Sequence, residues 1–499
     1  FFKQKTAYEI LTCDWSSDVC SSDLGTGANK VGGEQPIDVD APANGGADTL
    51  ATLQAPAGQF TQSIVTVTAS GGDVSGVDFG FNFDTIVNTN NAGQGSLRQF
   101  LLNANLLTDN AALAQTGRTA GVENSIFMIP GAGDALGRPV DPRYSGAPLA
   151  YTIQPGSWLP FLSDPVVLDG TTQPDFPGTP IIQLDGSAAG AGVDGLTLDG
   201  GSNTVRGLVL NRWGNNGIRM VTAGNNVIEG NYIGTDVTGS VALGNSATGV
   251  VIVPGSNNNR IGGTAAGARN IISANGVDGV RITGTANNLI QGNYIGTDVT
   301  GTANLGNVGE GIQLDSGASN NTVGGTAGGA TNIIAFNGSD GIGVSGAATN
   351  ANTIQRNAIF NNNGLGIDLA TDGVSANDVN DPDAGPNNTQ NFPVITSAVW
   401  DGVNTVVQGT LNSTIAGTFQ IEVFSNAVCN GDQTGAPTGA PNDYGEGETY
   451  RDTVSVSDGD SDGTEPFTVN IPVDLTGQFI TATATATNDT SEFSRCAAV

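Results

Sequence analysis

"GNYIGTDVTG" occupies residues 230–239 and returns unchanged at 292–301, a period of 62 residues. The neighbouring "SNN…GGTA" and "NII" segments keep the same period, through Gly262 and Gly324. A finer pattern halves it. Gly-apolar-x-apolar occurs as "GIRM" at 217, "GVVI" at 249, "GVRI" at 279, "GIQL" at 311, "GIGV" at 341 and "GIDL" at 366. The intervals are 32, 30, 32, 30 and 25 residues. A second short strand precedes each: "TVRG", "VIEG", "RIGG", "LIQG", "TVGG" and "TIQR". Asn stands four residues before the glycine in five repeats, as Asn245, Asn275, Asn307, Asn337 and Asn362, while the first has Asn215 and Asn216 nearby.

Such a unit cannot bury its apolar positions alone, so successive units must stack as coils. Strands of adjacent coils then pair in parallel at about 4.8 Å. Gly and Asn suit corners that need positive φ, and one Asn per coil would align its amides into a ladder, as polar residues do in cross-β stacks. The prediction is an all-β parallel β-helix over residues 84–392, with residues 125–200 as less regular early coils.

The flanks differ. "GSLRQFLLNANLL" (95–107) is the one convincing helix. Ser96 and Gln99 are spaced as a capping box, and Leu97, Phe100, Leu101 and Ala104 form one apolar stripe. A helix here is expected to cover the open first coil, whose strand edges would otherwise be exposed. Residues 393–499 alternate at period two in "NTVVQGTL", "GTFQIEVFS", "TYRDTVSVS", "PFTVNIPV" and "QFITATATAT", which reads as a β-sandwich. Residues 25–83 read as a truncated β-domain.

Residues 1–24, "FFKQKTAYEILTCDWSSDVCSSDL", match nothing downstream. Lys3 to Ile10 and Asp14 to Leu24 back-translate into strings that resemble synthetic sequencing adapters, so the segment is expected to be non-native and is set aside. Without it the chain has 14 basic and 43 acidic residues, Lys30 as its one lysine, and no histidine. That charge repels nucleic acid and anionic lipid. The lack of histidine removes His-based metal sites and His general bases. No run of 18 apolar residues marks a transmembrane segment. Two cysteines remain, Cys429 and Cys496, both in the last segment; in an exported protein they read as one disulfide, the alternative being two buried thiols.

The segments "GSLRQFLLNAN", "DPVVLDGTTQP", "GNYIGTDVTG", "NGVDGVRI", "NFPVIT" and "GQFITATATATNDTSEFSRC" together resemble bacterial secreted right-handed parallel β-helix repeat proteins with the pectate-lyase-like fold. The resemblance covers about residues 84–499 and implies a secreted or cell-surface location. It implies little about activity. Enzymes of this fold use clustered Asp with His, or acidic Ca²⁺ ligands with a Lys or Arg base, and no catalytic residue transfers by motif.

Two groups of residues remain as candidates. Asp278, Glu310 and Asp340 precede the glycine in consecutive coils, in one column, with Arg281 on the neighbouring face. They read either as a calcium or acid/base site or as a solvated turn. Asp372, Asp378, Asp381 and Asp383, where the coils meet the sandwich, are candidate calcium ligands. Asp236 and Asp298, and the "DGDSDG" at 458–463, read as turns, the last as a hairpin. The expected role is structural or adhesive, with polysaccharide or cell-surface glycans as possible partners. The competing class is a polysaccharide lyase or glycoside hydrolase.

Overall fold

The computed structural model describes residues 84–107, 119, 121–134, 138–429, 444–460 and 462–499. The expectations for residues 1–24 and 25–83 lie outside them. Three sheets of eight, nine and seven strands run the length of the repeat region, parallel except for the edge strand Tyr144–Gly146 of the second, which pairs antiparallel with Leu149–Ile153. In chain order each coil contributes one strand to each. The first sheet contains Thr204–Arg206, Val227–Glu229, Arg260–Gly262, Leu289–Gln291, Thr322–Gly324 and Thr353–Gln355. The third contains Ile218–Met220, Val250–Ile252, Val280–Thr283, Ile312–Asp315, Ile342–Val344 and Ile367–Leu369. These are the two predicted strand families, in the predicted register: Arg219, Val251, Arg281, Gln313, Gly343 and Asp368 form one column. The second sheet, including Leu208–Asn211, Tyr232–Ile233, Ile271–Ile272 and Tyr294–Ile295, was not separately visible in the repeat.

Alternate side chains point inward and stack like on like. Val205, Ile228, Ile261, Ile290, Val323 and Ile354 fill the first face, and Leu210, Ile233, Ile272, Ile295, Ile334 and Ile359 the second. Each such residue contributes roughly 1.5–3 kcal/mol by leaving water.

Each corner carries its own asparagine ladder. The predicted one is present: each Nδ2 donates to the next Oδ1 at 2.9 Å from Asn245 through Asn275, Asn307 and Asn337 to Asn362. It starts at Trp213, whose backbone N–H donates to Asn245 Oδ1, rather than at Asn215 or Asn216. A second ladder joins Asn203, Asn226, Asn259, Asn288, Asn321 and Asn352. A third joins Asn231, Asn270, Asn293, Asn332 and Asn357. The backbone just before a ladder residue turns left-handed, as at Asn225 (φ 60°) and Asn258 (φ 60°), a conformation Asn tolerates better than most residues.

Helix α1, Leu97–Leu107, closes the first coil, and its buried Leu97, Phe100, Leu101 and Ala104 join the core of the coils. Ser96 Oγ accepts the Gln99 N–H as predicted, but the Gln99 amide donates to Asn103 and Ser96 N–H to Gly93 O, so the box is half-formed. At the other end two antiparallel sheets pack face to face: Val394–Trp400, Thr405–Asn412 and Thr464–Ile471 against Thr449–Ser457, Thr418–Asn426 and Phe479–Ala486. Cys429 and Cys496 form a disulfide in this domain.

Candidate functional site

The three sheets present different outer faces. On the second, the "GTDVTG" segments fold back as small protrusions that pair Thr235 with Ala242 and Thr297 with Asn304. Val237 and Val299 from these protrusions cover Tyr232 and Tyr294. Asp236 and Asp298 are spent inside them. Asp236 Oδ1 accepts Ser240 and Val241 N–H, and Asp298 Oδ1 accepts Thr300, Thr302 and Ala303 N–H. Burial pushes Asp298 up, but the Thr300 hydroxyl and these N–H groups outweigh it and hold its pKa below the usual value.

The third sheet carries the candidate column. Asp278, Glu310 and Asp340 do lie on consecutive coils, next to Gly279, Gly311 and Gly341. They are not a solvated turn. Asp278 is 1% exposed and Asp340 is buried; Glu310 between them is half-buried. The reason is a staple from coil to coil. Asp194 Oδ1 accepts Asn216 N–H, Asn216 Oδ1 accepts Thr248 N–H, Asp278 Oδ1 accepts Glu310 N–H, and Asp340 Oδ1 accepts Leu365 N–H. This use of the column was missed because one sequence shows the acidic side chains and not the backbone donors beneath them.

Burial raises Asp278 to about 7, helped by contact with the Glu310 carboxyl and opposed by Arg281. Burial also raises Asp340 to about 7, helped by Asp368 and Glu310. The neighbouring Glu310 carboxyl favours a proton on Asp278, whose Oδ2 has no hydrogen-bond partner among the described residues. Arg281 lies 3.7 Å from that oxygen and 2.6 Å from Asp315 Oδ2. The site therefore sets Asp278, Glu310 and Asp340 in one file beside a single guanidinium, with Asp368 acting on Asp340 from the neighbouring column. It can hold and exchange protons near neutrality.

Where the coils meet the sandwich, the structure brings together three of the four candidate calcium ligands. Asp378, Asp381 and Asp383 each place an oxygen within 4.8 Å of the others. Asp372 is not in that group and acts on Asp368 instead. Asp458, Asp460 and Asp462 form a similar group. Their segment is not a hairpin: Thr449–Ser457 and Thr464–Ile471 lie in different sheets, so it is a corner between sheets. Asp458 Oδ2 accepts Ala416 and Gly463 N–H there.

The same junction holds three glutamates with no counterpart in the repeating coils. Glu446 accepts Asn361 N–H, Asn362 N–H and Asn362 Nδ2; Glu492 accepts Leu369 and Ser375 N–H; Glu422 accepts Arg356 N–H. All three come from the sandwich and meet backbone donors at the end of the coils. The sequence signal was faint: Glu422 is a lone acid in the apolar strand Thr418–Asn426, and Glu446 and Glu492 lie in irregular segments.

No helix among the described residues is long and apolar enough to cross a membrane. No protein-family model and no curated protein matches the chain. Among solved structures the chain is similar to the full-length tailspike protein 2 of Escherichia coli O157:H7 bacteriophage CAB120, at 12% identity over 77% of this chain and 56% of that one, with a TM-score of 0.20. The chain thus spans about half the length of that tailspike, and a likeness this distant adds nothing to what the strands themselves establish.

Proposed function

We propose that this chain is a stiff shaft of a secreted or cell-surface protein, adhesive rather than catalytic, that meets polysaccharide or glycan through its outer surface. The observation that carries this reading is the set of three asparagine ladders running from coil to coil. They make the coils resist bending and shear, because every coil is tied to the next at all three corners. The ladder amides are buried, so partners would meet the exposed polar side chains, and the net charge of −31 disfavours polyanions. Retention of the full chain on insoluble polysaccharides is the test; failure to be retained on any would remove the adhesive part.

A second reading is favoured by the third-sheet file. Two carboxyls that titrate near 7 beside Glu310 and Arg281 would suit acid/base cleavage of a polysaccharide. Incubation with acidic polysaccharides and calcium, followed by absorbance of unsaturated products, separates the two. Product formed by the wild type and abolished in Asp278→Ala or Glu310→Ala would replace the structural reading with a lyase. The junction carboxylates Asp378, Asp381 and Asp383 would take calcium, a hard cation that prefers oxygen ligands.

A further inference from the structure

Residues 157–162 read "SWLPFL" and form part of an early coil. Leu159 and Leu162 are buried in the core, while Trp158 is 45% and Phe161 44% exposed. Burial is inverted here: the two larger rings face water and the two smaller side chains fill the interior. They are the only exposed aromatic side chains among the described residues. Their ring centroids lie 6.2 Å apart at 60°.

The segment that presents them is firmly held. Arg98 of α1 donates to Asn91 O at 3.0 Å, to Ser157 O at 3.1 Å and to Trp158 O at 2.5 Å. Asn91 Oδ1 accepts Gly156 N–H at 2.7 Å. Asn105 Nδ2 donates to Phe161 O at 2.6 Å, and its Oδ1 accepts Ser163 N–H at 3.2 Å. Exposed Leu102 and Leu106 of α1 flank Asn105 in the helix. A backbone fixed by three side chains does not wander, so the outward rings are a maintained feature and not fraying.

We propose that Trp158 and Phe161 form a stacking platform for the pyranose rings of a neutral glycan. This inference rests on the adhesive reading and gives it a site. Size argues for sugar over protein. Four apolar side chains fall far short of the roughly 20–30 residues a side that a stable protein interface uses. Two rings at an open angle match the apolar faces of one or two sugars. The rim supplies what hydroxyls need: exposed Asn90, Asn91, Ser157 and Ser163. The chain's strong negative charge selects against uronic or sulfated sugars.

The test uses the full chain, its Trp158→Ala and Phe161→Ala variants, neutral hexasaccharides of glucose, mannose and N-acetylglucosamine, and polygalacturonate as the anionic probe. Calorimetric titration should show at least one neutral hexasaccharide binding better than polygalacturonate. Each substitution should weaken it about tenfold, the weight of one lost ring contact. The melting temperature should not move, since both side chains are exposed. Neutral-sugar binding undiminished in both variants overturns the platform and leaves the adhesive reading standing. Wild-type retention on insoluble polysaccharide that both variants share in full does the same. Self-association lost in Trp158→Ala, with no sugar bound by the wild type, overturns it in favour of a second copy of the chain.

Discussion

Inside the shaft, coil is joined to coil by amides; at its C-terminal end the same kind of backbone donor meets carboxylates. Asn307 accepts from Asn275 through Oδ1 and donates to Asn337 through Nδ2. An amide both accepts and donates, so a ladder of amides can repeat without limit. Glu446 accepts from Asn362 and returns nothing to a further coil. Both of its oxygens are taken up by Asn361 and Asn362, so it ends the ladder. The chain changes residue type where it must stop repeating, and the stop comes from the C-terminal antiparallel sheets.

The largest effect should follow from breaking a ladder at mid-shaft. Asn307→Ala would leave the Asn275 N–H without its acceptor in a buried corner, while Asn275 Nδ2 keeps Ile233 O and Ser273 O, and should cost roughly 3 kcal/mol. Asn307→Asp keeps the acceptor but sets an oxygen against Asn337 Oδ1, and should cost as much. Denaturant unfolding measures both. If Asn307→Asp proves as stable as wild type, donation is not what lets the amide continue the stack.

Breaking the terminus should reveal proton linkage. Burial lifts Glu446 to about 8 against the pull of three donated hydrogen bonds. Burial likewise lifts Glu492 to about 8, with Asp368 adding to it, and raises Glu422 against Arg356. Between the ordinary carboxyl value and about 8, the folded state keeps protons that the unfolded chain has released. The contribution is complete at acid pH and is lost as pH rises through about 8, with a slope of about 1.4 kcal/mol per pH unit per proton. Stability should therefore fall steadily from about pH 5 to pH 8, and Glu446→Gln should flatten part of that fall. Equal pH dependence in the variant would mean that Glu446 does not hold a proton in the folded state.

These contrasts bear on what the sequence could reveal. Repetition was legible because stacking imposes one requirement on every coil: glycine at the same corner, an apolar residue at the same inward position, Asn245, Asn275 and Asn307 in one file. The register of the first and third sheets followed directly. The second sheet was hidden because three of its strands, Tyr232–Ile233, Ile271–Ile272 and Tyr294–Ile295, are two residues long, and protrusions follow the first and last of them. Its ladder, Asn231 to Asn357, was hidden with it. The junction was illegible for a different reason. Glu446, Glu422 and Glu492 occur once each and meet partners some 66 to 123 residues away in sequence, so no period marks them. The acidic column fell between these cases: its alignment was visible, its burial was not.

That column tests the comparison from within the shaft. Asp278 and Asp340 are carboxylates in a repeating position, and both are raised to about 7 by burial first and by neighbouring acids second. Their contribution is complete near pH 4 and is lost as pH rises through about 7. Asp278→Asn keeps the acceptor for Glu310 N–H and can donate to the Glu310 carboxyl. It should stabilise the protein at pH 8 by roughly 1 kcal/mol and leave pH 5 almost unchanged. A destabilised variant at pH 8 would show that the charge of Asp278, through Arg281, matters more than its burial.

The smallest effect is expected from calcium at Asp378, Asp381 and Asp383. Asp381 Oδ1 accepts Asn391 N–H at 3.2 Å and Oδ2 accepts the Ser413 hydroxyl at 2.5 Å, so one ligand is already oriented. Burial raises both Asp381 and Asp383; Asp383 and Asp378 add to the first, and Asp378 to the second. A divalent cation would relieve the repulsion and compete with the proton. Calcium at about its dissociation constant would add about 0.4 kcal/mol to the folded state. Because the coils and the sandwich need not unfold together, the measured rise in melting temperature should be confined to the transition that includes the junction. The rise should shrink as pH falls and protons occupy Asp381 and Asp383. It should disappear in Asp381→Asn. A melting temperature unmoved by calcium or by chelation at pH 8 would mean that the three carboxylates are satisfied by water and backbone alone, and that the junction is held by its glutamates.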